Sequence, residues 1–273
     1  MCSSDLLASA TIGNPERAFG LLTGVEVDIV DADGSASPGR EIALWNPPLL
    51  DEATGQRASR IHETATLLAQ LVADDRRVIC FAPGRQLVEL VLRGARDELA
   101  RRAPALAERI EPYRAGYPPE VRRAIERRLM DGDLRAVVAT NALELGIDIG
   151  DLDCAIVLGF PGSIASLRQE WGRAGRRHRG LGVLVLGDDA IDQWFARHPQ
   201  ALLERPVEAV ALDPGNPDIR LAHLACAAAE AAVSERDAAI LGVHIAGDAE
   251  AAIELRPDDF AMTPAGLIWT GTE

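Results

Sequence analysis

A parallel α/β sheet covered by helices on both faces is the fold class this sequence predicts, with a small α+β unit after it. Three observations predict it. Between residues 57 and 205, five short apolar runs alternate with amphipathic helical stretches, the pattern of strands buried on both faces. The charge balance changes at the edges of this stretch: −7 over 1–56, +2 over 57–205 and −9 over 206–273. After Pro206 the apolar runs give way to Ala-rich helical segments.

The elements follow in order. Residues 1–8 read unlike the rest and are set aside. Two alternating runs, 25–30 and 41–45, flank a stretch rich in Asp, Gly, Ser and Pro, which predicts a hairpin closed by Pro47-Pro48. Asp51-Glu-Ala-Thr54 follows these prolines rather than a buried strand, so it reads as a loop or helix start. Helices over 57–73, 85–101 and 119–130 then precede strands over 78–82, near 109–113, and over 136–139. Strands over 154–158 and 182–186 bracket a helix that starts near Ser163, which can cap it after Pro161-Gly162. Asn216-Pro217 opens a helix to about 230, 234–241 is another, and 260–270 reads as a hairpin. The predicted divisions are 1–56, 57–205 and 206–273, the last a truncated accessory unit for which a winged helix is one possible form.

Composition narrows the chemistry. The chain has 273 residues, 48% hydrophobic and 26% charged, which suits a folded protein. It has no apolar run of spanning length and no signal-peptide pattern, so neither a membrane nor export is expected. Cys2, Cys80, Cys154 and Cys226 are far apart. They predict no metal site, and as isolated thiols they suit the reducing cytoplasm. A net charge of −14 argues against nucleic-acid binding by the chain as a whole, but the middle stretch can carry a local basic face. The chain contains no lysine; all 28 basic residues are arginine. A phosphate-binding loop of the G-x-x-x-x-G-K-[ST] kind is therefore excluded.

Four stretches can carry function. Ala139-Thr-Asn-Ala-Leu-Glu-Leu-Gly-Ile-Asp-Ile-Gly150 begins where a buried strand ends, which is where ligands sit in open α/β sheets. Thr140 and Asn141 offer short donors, Gly146 permits close approach, and Asp148 offers a carboxylate; an ordinary strand-to-helix turn is the plain alternative. In Gln169-Glu-Trp-Gly-Arg-Ala-Gly-Arg176, continued helix would place Gln169, Gly172, Arg173 and Arg176 on one face. Ile164, Leu167, Trp171 and Ala174 would lie opposite. Two glycines in a helix cost about 1 kcal/mol each, so close access to a ligand is expected there. Guanidinium groups match a phosphoryl group by geometry and permanent charge; a solvated basic face is the alternative. Arg114-Ala-Gly116-Tyr117 leads into a helix bearing Arg122, Arg123, Arg127 and Arg128 beside Glu120 and Glu126, for which a self-paired surface is the simpler reading. Ser9-Ala-Thr11 is weak taken alone.

Together these resemble the superfamily 2 (DEAD/DEAH-box) helicases. Ser9-Ala-Thr11 looks like motif III, Ile79-Cys-Phe-Ala-Pro-Gly-Arg85 like motif IV, Thr140 to Asp148 like motif V, and Gln169 to Arg176 like motif VI. Ser9-Ala-Thr-Ile-Gly-Asn-Pro15, Leu44-Trp-Asn-Pro-Pro-Leu49 and Tyr113-Arg-Ala-Gly-Tyr117 are similar to one branch, the DNA-repair helicases with a C-terminal cysteine-rich zinc domain. The resemblance implies a RecA-like second motor domain and 3′→5′ translocation on single-stranded or forked DNA, driven by ATP with Mg2+. It implies that Arg176 is the arginine finger, with Arg173 and Gln169 at the phosphates and Gly146, Asp148 and Gly172 facing ATP. Thr140, Asn141, Arg85, Arg114 and Gly116 would track DNA, and Ser9 and Thr11 would couple the two events. In motif IV, Pro83-Gly84 stands where the family has a small polar residue. The P-loop, the acidic Mg2+-binding pair and the zinc cysteines are not in this sequence. The resemblance therefore implies a fragment whose partner is an N-terminal motor domain of the same polypeptide, and which is inactive by itself. A non-catalytic RecA-like module binding nucleic acid or protein is the alternative reading.

Overall fold

The apolar runs at 78–82, 136–139 and 154–158 are each long enough for one strand and carry no charged residue, so these strands have to be covered on both faces. The computed structural model describes residues 6–9, 11–32, 34, 38–140, 150–213, 215–237 and 245–271. In chain order the elements are α1 (Pro15–Thr23), β1 (Arg40–Trp45), β2 (Leu49–Asp51), β3 (Gln56–Arg57), α2 (Arg60–Ala73), β4 (Val78–Phe81) and α3 (Arg85–Arg102). A 3-10 turn (Pro104–Arg109), β5 (Ile110–Tyr113), α4 (Pro119–Met130), β6 (Ala136–Ala139), β7 (Cys154–Leu158), α5 (Ile164–Trp171) and β8 (Gly180–Val185) follow. The remainder are α6 (Ala190–Arg197), α7 (Gln200–Glu204), α8 (Pro217–Glu230), a 3-10 turn (Glu235–Asp237), α9 (Ile245–Leu255), β9 (Phe260–Thr263) and β10 (Gly266–Trp269).

Chain contacts divide these into two units. One comprises Ala8–Gly13 and Ala32–Glu208; the other comprises Met1–Leu7, Asn14–Asp31 and Ala209–Glu273. The first holds a six-stranded sheet in the order β1-β8-β7-β4-β6-β5, with every pairing parallel. Three of the four interior strands, β7, β4 and β6, are buried at every residue. Side chains alternate across the sheet. Val78, Cys80, Ala136 and Val138 pack under α2 and α3 with Leu68, Val72, Val91 and Leu99. Ile79, Phe81, Val137 and Ala139 pack on the other face with Ile125, Leu129, Leu167 and Trp171. Each such large apolar side chain contributes about 1.5–3 kcal/mol by leaving water. Close packing of α2 on α3 needs Gly94, where a Cβ would lie 2.9 Å from the Ala65 Cβ.

The expected hairpin between 25–30 and 41–45 does not form. Arg40–Trp45 pairs in parallel with β8 as the sheet's edge, with Ile42 and Leu44 packed on one core and Ala43 on the other. Val25 and Val30 are exposed instead. A run of alternating residues fits an edge strand as well as a hairpin arm, and here a long-range partner was available. Asp51-Glu-Ala-Thr54 is the turn between β2 and β3, where the Asp51 carboxylate accepts from the Ala53 amide and the Thr54 hydroxyl, both at 2.8 Å.

The second unit is α+β. Its core joins Leu224 and Ala228 of α8, Ala249 and Ala252 of α9, and Phe260 and Leu267 of the β9–β10 hairpin. The Asn216 side chain caps α8 by accepting from the Asp218 and Ile219 amides at 3.0 and 3.3 Å. The expected helix over 234–241 is represented by the 3-10 turn; 238–244 lie outside the described residues. Among the described residues, no helix is long and apolar enough to cross a membrane.

Candidate functional site

All six sheet strands point the same way, so the loops leaving their carboxyl ends share one rim. A cleft of about 460 Å³ opens there, lined by Ala82, Gly84, Arg85, Arg114, Gly116, Thr140 and Gly159, with Ser166 and Glu170 from α5 on its wall. Four of the five residues expected to contact DNA thus meet in one place; the fifth, Asn141, lies outside the described residues.

Each is positioned by local structure. Gly84 has φ +107°, open to glycine, and turns the chain from β4 into α3 so that Arg85 is its first helical residue. The amino end of an 18-residue helix therefore faces the cleft with its unpaired amides. Gly116 lies against Arg85: a Cβ there would stand 3.5 Å from the Arg85 guanidinium, in ordinary contact. Arg114 donates from Nε and Nη2 to the Tyr117 hydroxyl at 3.2 and 3.1 Å, lies 5.0 Å over that ring, and pairs with Glu89 at 2.9 Å. Next to it, buried Tyr113 donates to Glu126 at 2.6 Å and ties β5 to α4. Burial first, then that carboxylate, pushes its phenol up to about 12. On α4, Arg128 pairs with Glu111 of β5 and Arg127 donates to the Arg123 carbonyl, while Glu126 is taken by Tyr113, so these contacts are not the Glu120 and Glu126 pairs the helix spacing suggested.

The second expected cluster takes a different form from the one its spacing predicts. Ser163 caps α5, its hydroxyl accepting from the Ser166 amide at 3.0 Å. Ile164, Leu167, Trp171 and Ala174 are buried as expected. The helix, however, ends at Trp171, so Gln169, Gly172, Arg173 and Arg176 do not share a helical face. The glycines serve the turn that follows. At Gly172 a Cβ would press on the Arg168 carbonyl at 2.9 Å. Gly175 has φ +73° and packs on Gly180, with 2.7 Å from a Cβ to the Gly180 nitrogen. Its amide donates to Leu152 at 2.9 Å. The Arg40 guanidinium holds the same turn, donating to the Ala174 carbonyl at 3.1 and 2.7 Å. Arg173 is half-buried and Arg176 exposed. Gln169 donates its side-chain amide to the Thr11 hydroxyl across 158 residues of sequence, joining two stretches that the sequence offered separately. Ser9 is exposed. Gly146 and Asp148 lie outside the described residues.

Four further polar residues that sequence reasoning passed over hold loops at the two ends of the sheet. Asp192, 1% exposed, accepts from the Phe160 amide at 3.0 Å and the Gly187 amide at 2.6 Å, which fixes the loops after β7 and β8. Burial raises its carboxyl above the usual range. Arg60 lies 3.6 Å from it and 3.5 Å from Asp189. His178 bridges Asp151 at 2.7 Å and Asp153 at 3.0 Å, and those hydrogen bonds, Asp151 first, raise its pKa above 6.5. Glu208 reaches back to the start of α5. Apart from Gly187, five residues from Asp192, these partners are far away in sequence, and nothing in local spacing announces them.

Chemically, the arginines and helix amides of the cleft suit a chain of phosphates, and the guanidinium groups of Arg173 and Arg176 suit a phosphoryl group. Among the described residues, no three His, Cys, Asp or Glu side chains gather where they could hold a metal ion. The donor set fits phosphate.

Comparison with known proteins gives a consistent family. Residues 59–178 match the family described as helicase conserved C-terminal domain. The chain is 38% identical over 226 residues to an uncharacterized ATP-dependent helicase YprA of Bacillus subtilis, covering 82% of this chain and 30% of that one. It is 38% identical over 239 residues to the ATP-dependent helicase HRQ1 of Saccharomyces cerevisiae, covering 84% and 22%. The crystal structure of the DUF1998 helicase MrfA bound to DNA and AMPPNP superposes with a TM-score of 0.81 at 34% identity, over 97% of this chain and 36% of that one. The chain therefore spans less than a third of the length of these curated relatives. The sheet is RecA-like, as in these relatives.

Proposed function

We propose, from the premise that this chain belongs to the superfamily 2 helicases through their conserved C-terminal domain, that it is the second motor half of an ATP-dependent 3′→5′ DNA helicase. The observation that supports this most is the rim cleft in which Arg85, Arg114, Gly116 and Thr140 meet. Two guanidinium groups, a hydroxyl and an open helix end in one groove can follow a sugar–phosphate backbone without reading bases. Asn141 would extend that track.

In this reading Arg173 and Arg176 carry the charge that answers the ATP phosphates, with Arg176 the finger and Gly146, Asp148 and Gly172 at the nucleotide. ATP bound with Mg2+ supplies the free energy of hydrolysis. The Mg2+ and the opposite wall of the pocket come from a first motor domain of the same polypeptide, because a chain without lysine has no P-loop of its own. Gln169 holds Thr11, so a shift of the nucleotide-facing turn moves the segment that bears Ser9 and Thr11. That contact is a direct route from nucleotide to DNA track.

The test uses the longer polypeptide. Arg176→Ala should cut DNA-stimulated ATP hydrolysis by about 10³-fold or more. Turnover near that of the unsubstituted enzyme rejects the finger. The chain by itself should bind single-stranded DNA weakly, lose it with salt, and hydrolyse no ATP.

A further inference from the structure

The last residues of the sheet-bearing unit run back across α5. Glu208 lies 44 residues beyond Ile164, yet its two carboxylate oxygens accept from the Ile164 amide at 2.6 Å and the Ala165 amide at 3.0 Å. With Ser163 taking the Ser166 amide, the first three amides of α5 are all answered by side chains. Ser163 alone is the ordinary cap; the second, charged cap comes from a distant segment. Burial works against the Glu208 charge, but the amide hydrogen bonds, Ile164 first, hold its carboxyl below the usual range.

The same segment is fastened twice more. Arg168 donates to the carbonyls of Leu203 at 3.2 Å and Arg205 at 2.7 Å. Gly13 fits beneath it for want of a side chain: a Cβ there would stand 2.2 Å from the Val207 oxygen and 2.8 Å from the Glu208 oxygen. Residues 203–208 thus touch both the helix that carries Gln169 and the segment that carries its partner Thr11.

We propose that Glu208 is a positioning residue: by closing the amino end of α5 it sets the register in which Gln169 meets Thr11. Its consequence for turnover rests on the motor reading above; the contact itself does not. Glu208 is also where the chain leaves this unit, since Ala209 belongs to the other.

The test has two arms. In the isotope-labelled chain, Glu208→Gln should speed exchange of the Ile164 and Ala165 amides about fivefold or more, the scale of one lost cap. It should also move the Gln169 side-chain amide resonance toward its solvent position, while amides of β4 and β7 keep their protection. Glu208→Asp, which keeps the charge, should restore part of both. A Gln169 resonance that stays in place while the cap amides open overturns the proposal. In the longer polypeptide, Glu208→Gln should lower kcat for DNA-stimulated ATP hydrolysis about tenfold with KM for ATP little changed; an unchanged kcat overturns it. If the unsubstituted polypeptide shows no such turnover, the motor reading falls, and the labelled chain still decides the role of Glu208.

Discussion

Two groups of arginines sit on the same carboxyl rim of the sheet and meet opposite fates. Arg60 is wedged between Gly159 and Gly187, where Cβ atoms would lie 2.9 and 2.4 Å from its guanidinium. Asp189 and buried Asp192 answer its charge. Arg85 is exposed, and among the described residues no carboxylate pairs with it; Arg114 has only Glu89, itself 45% exposed at the side chain. Residue type and rim are the same, so the partner decides the role. A guanidinium set between two carboxylates, one of them buried, holds loops together. One left facing a groove has its charge available for an external anion. The hollow beside Arg60, of about 390 Å³, also bears Asp188 and Asp189, which would repel a polyanion.

The largest expected effect breaks the structural member of this pair. Asp192→Ala strips the acceptor from two backbone amides and a partner from Arg60, and should cost about 2–5 kcal/mol in urea unfolding. DNA affinity of the folded fraction should be unchanged, and a specific loss of affinity would blur the distinction between the two groups. Arg114→Ala should do the reverse. Stability should move by about 1 kcal/mol or less, since the pair with Glu89 is still partly open to solvent, while single-stranded DNA binding weakens uniformly across sequences. Fluorescence anisotropy with two unrelated oligonucleotides would check this.

A smaller effect is expected at the opposite, amino end of β7, where His178 bridges Asp151 and Asp153. Its folded pKa is raised, so its contribution is complete below the unfolded value of about 6.5. That contribution is lost as pH rises through the higher folded value. Chain stability should therefore decline across that window, and His178→Gln should remove that decline; an identical pH profile in the variant would discount the bridge. The smallest effect should come from Glu89→Gln. Removing the acid that pairs with Arg114 should cost under about 1 kcal/mol and slightly tighten DNA binding at low salt.

How much of this was legible in the sequence depended on the range of each contact. The buried strands β4, β6 and β7 declared themselves as apolar runs, and the Ser163 and Asn216 caps were local signals that the fold honours. Arg85, Arg114, Gly116 and Thr140 were readable because each follows a strand, and parallel strands deliver such residues to one rim. The edge strand β1 was misassigned because its partner β8 lies about 140 residues away, and alternation alone does not say which neighbour a strand will take. The helical face of Gln169, Arg173 and Arg176 failed for a different reason. Helical spacing was extended through two glycines, one of which takes a positive φ and turns the chain out of the helix. Asp192, His178 and Glu208 left no trace, because an acid or histidine becomes a clamp only when distant amides or carboxylates are brought to it.

The claim that matters most is that the rim cleft, and not the Arg60 hollow, follows the phosphates of single-stranded DNA. Binding of a single-stranded oligonucleotide should be measured against salt concentration for the chain and for the Arg85→Ala, Arg114→Ala double variant. At about 0.7 per phosphate contact on single strands, the plot of log affinity against log salt should become shallower by about 1.4. An unchanged slope in the double variant would contradict the account.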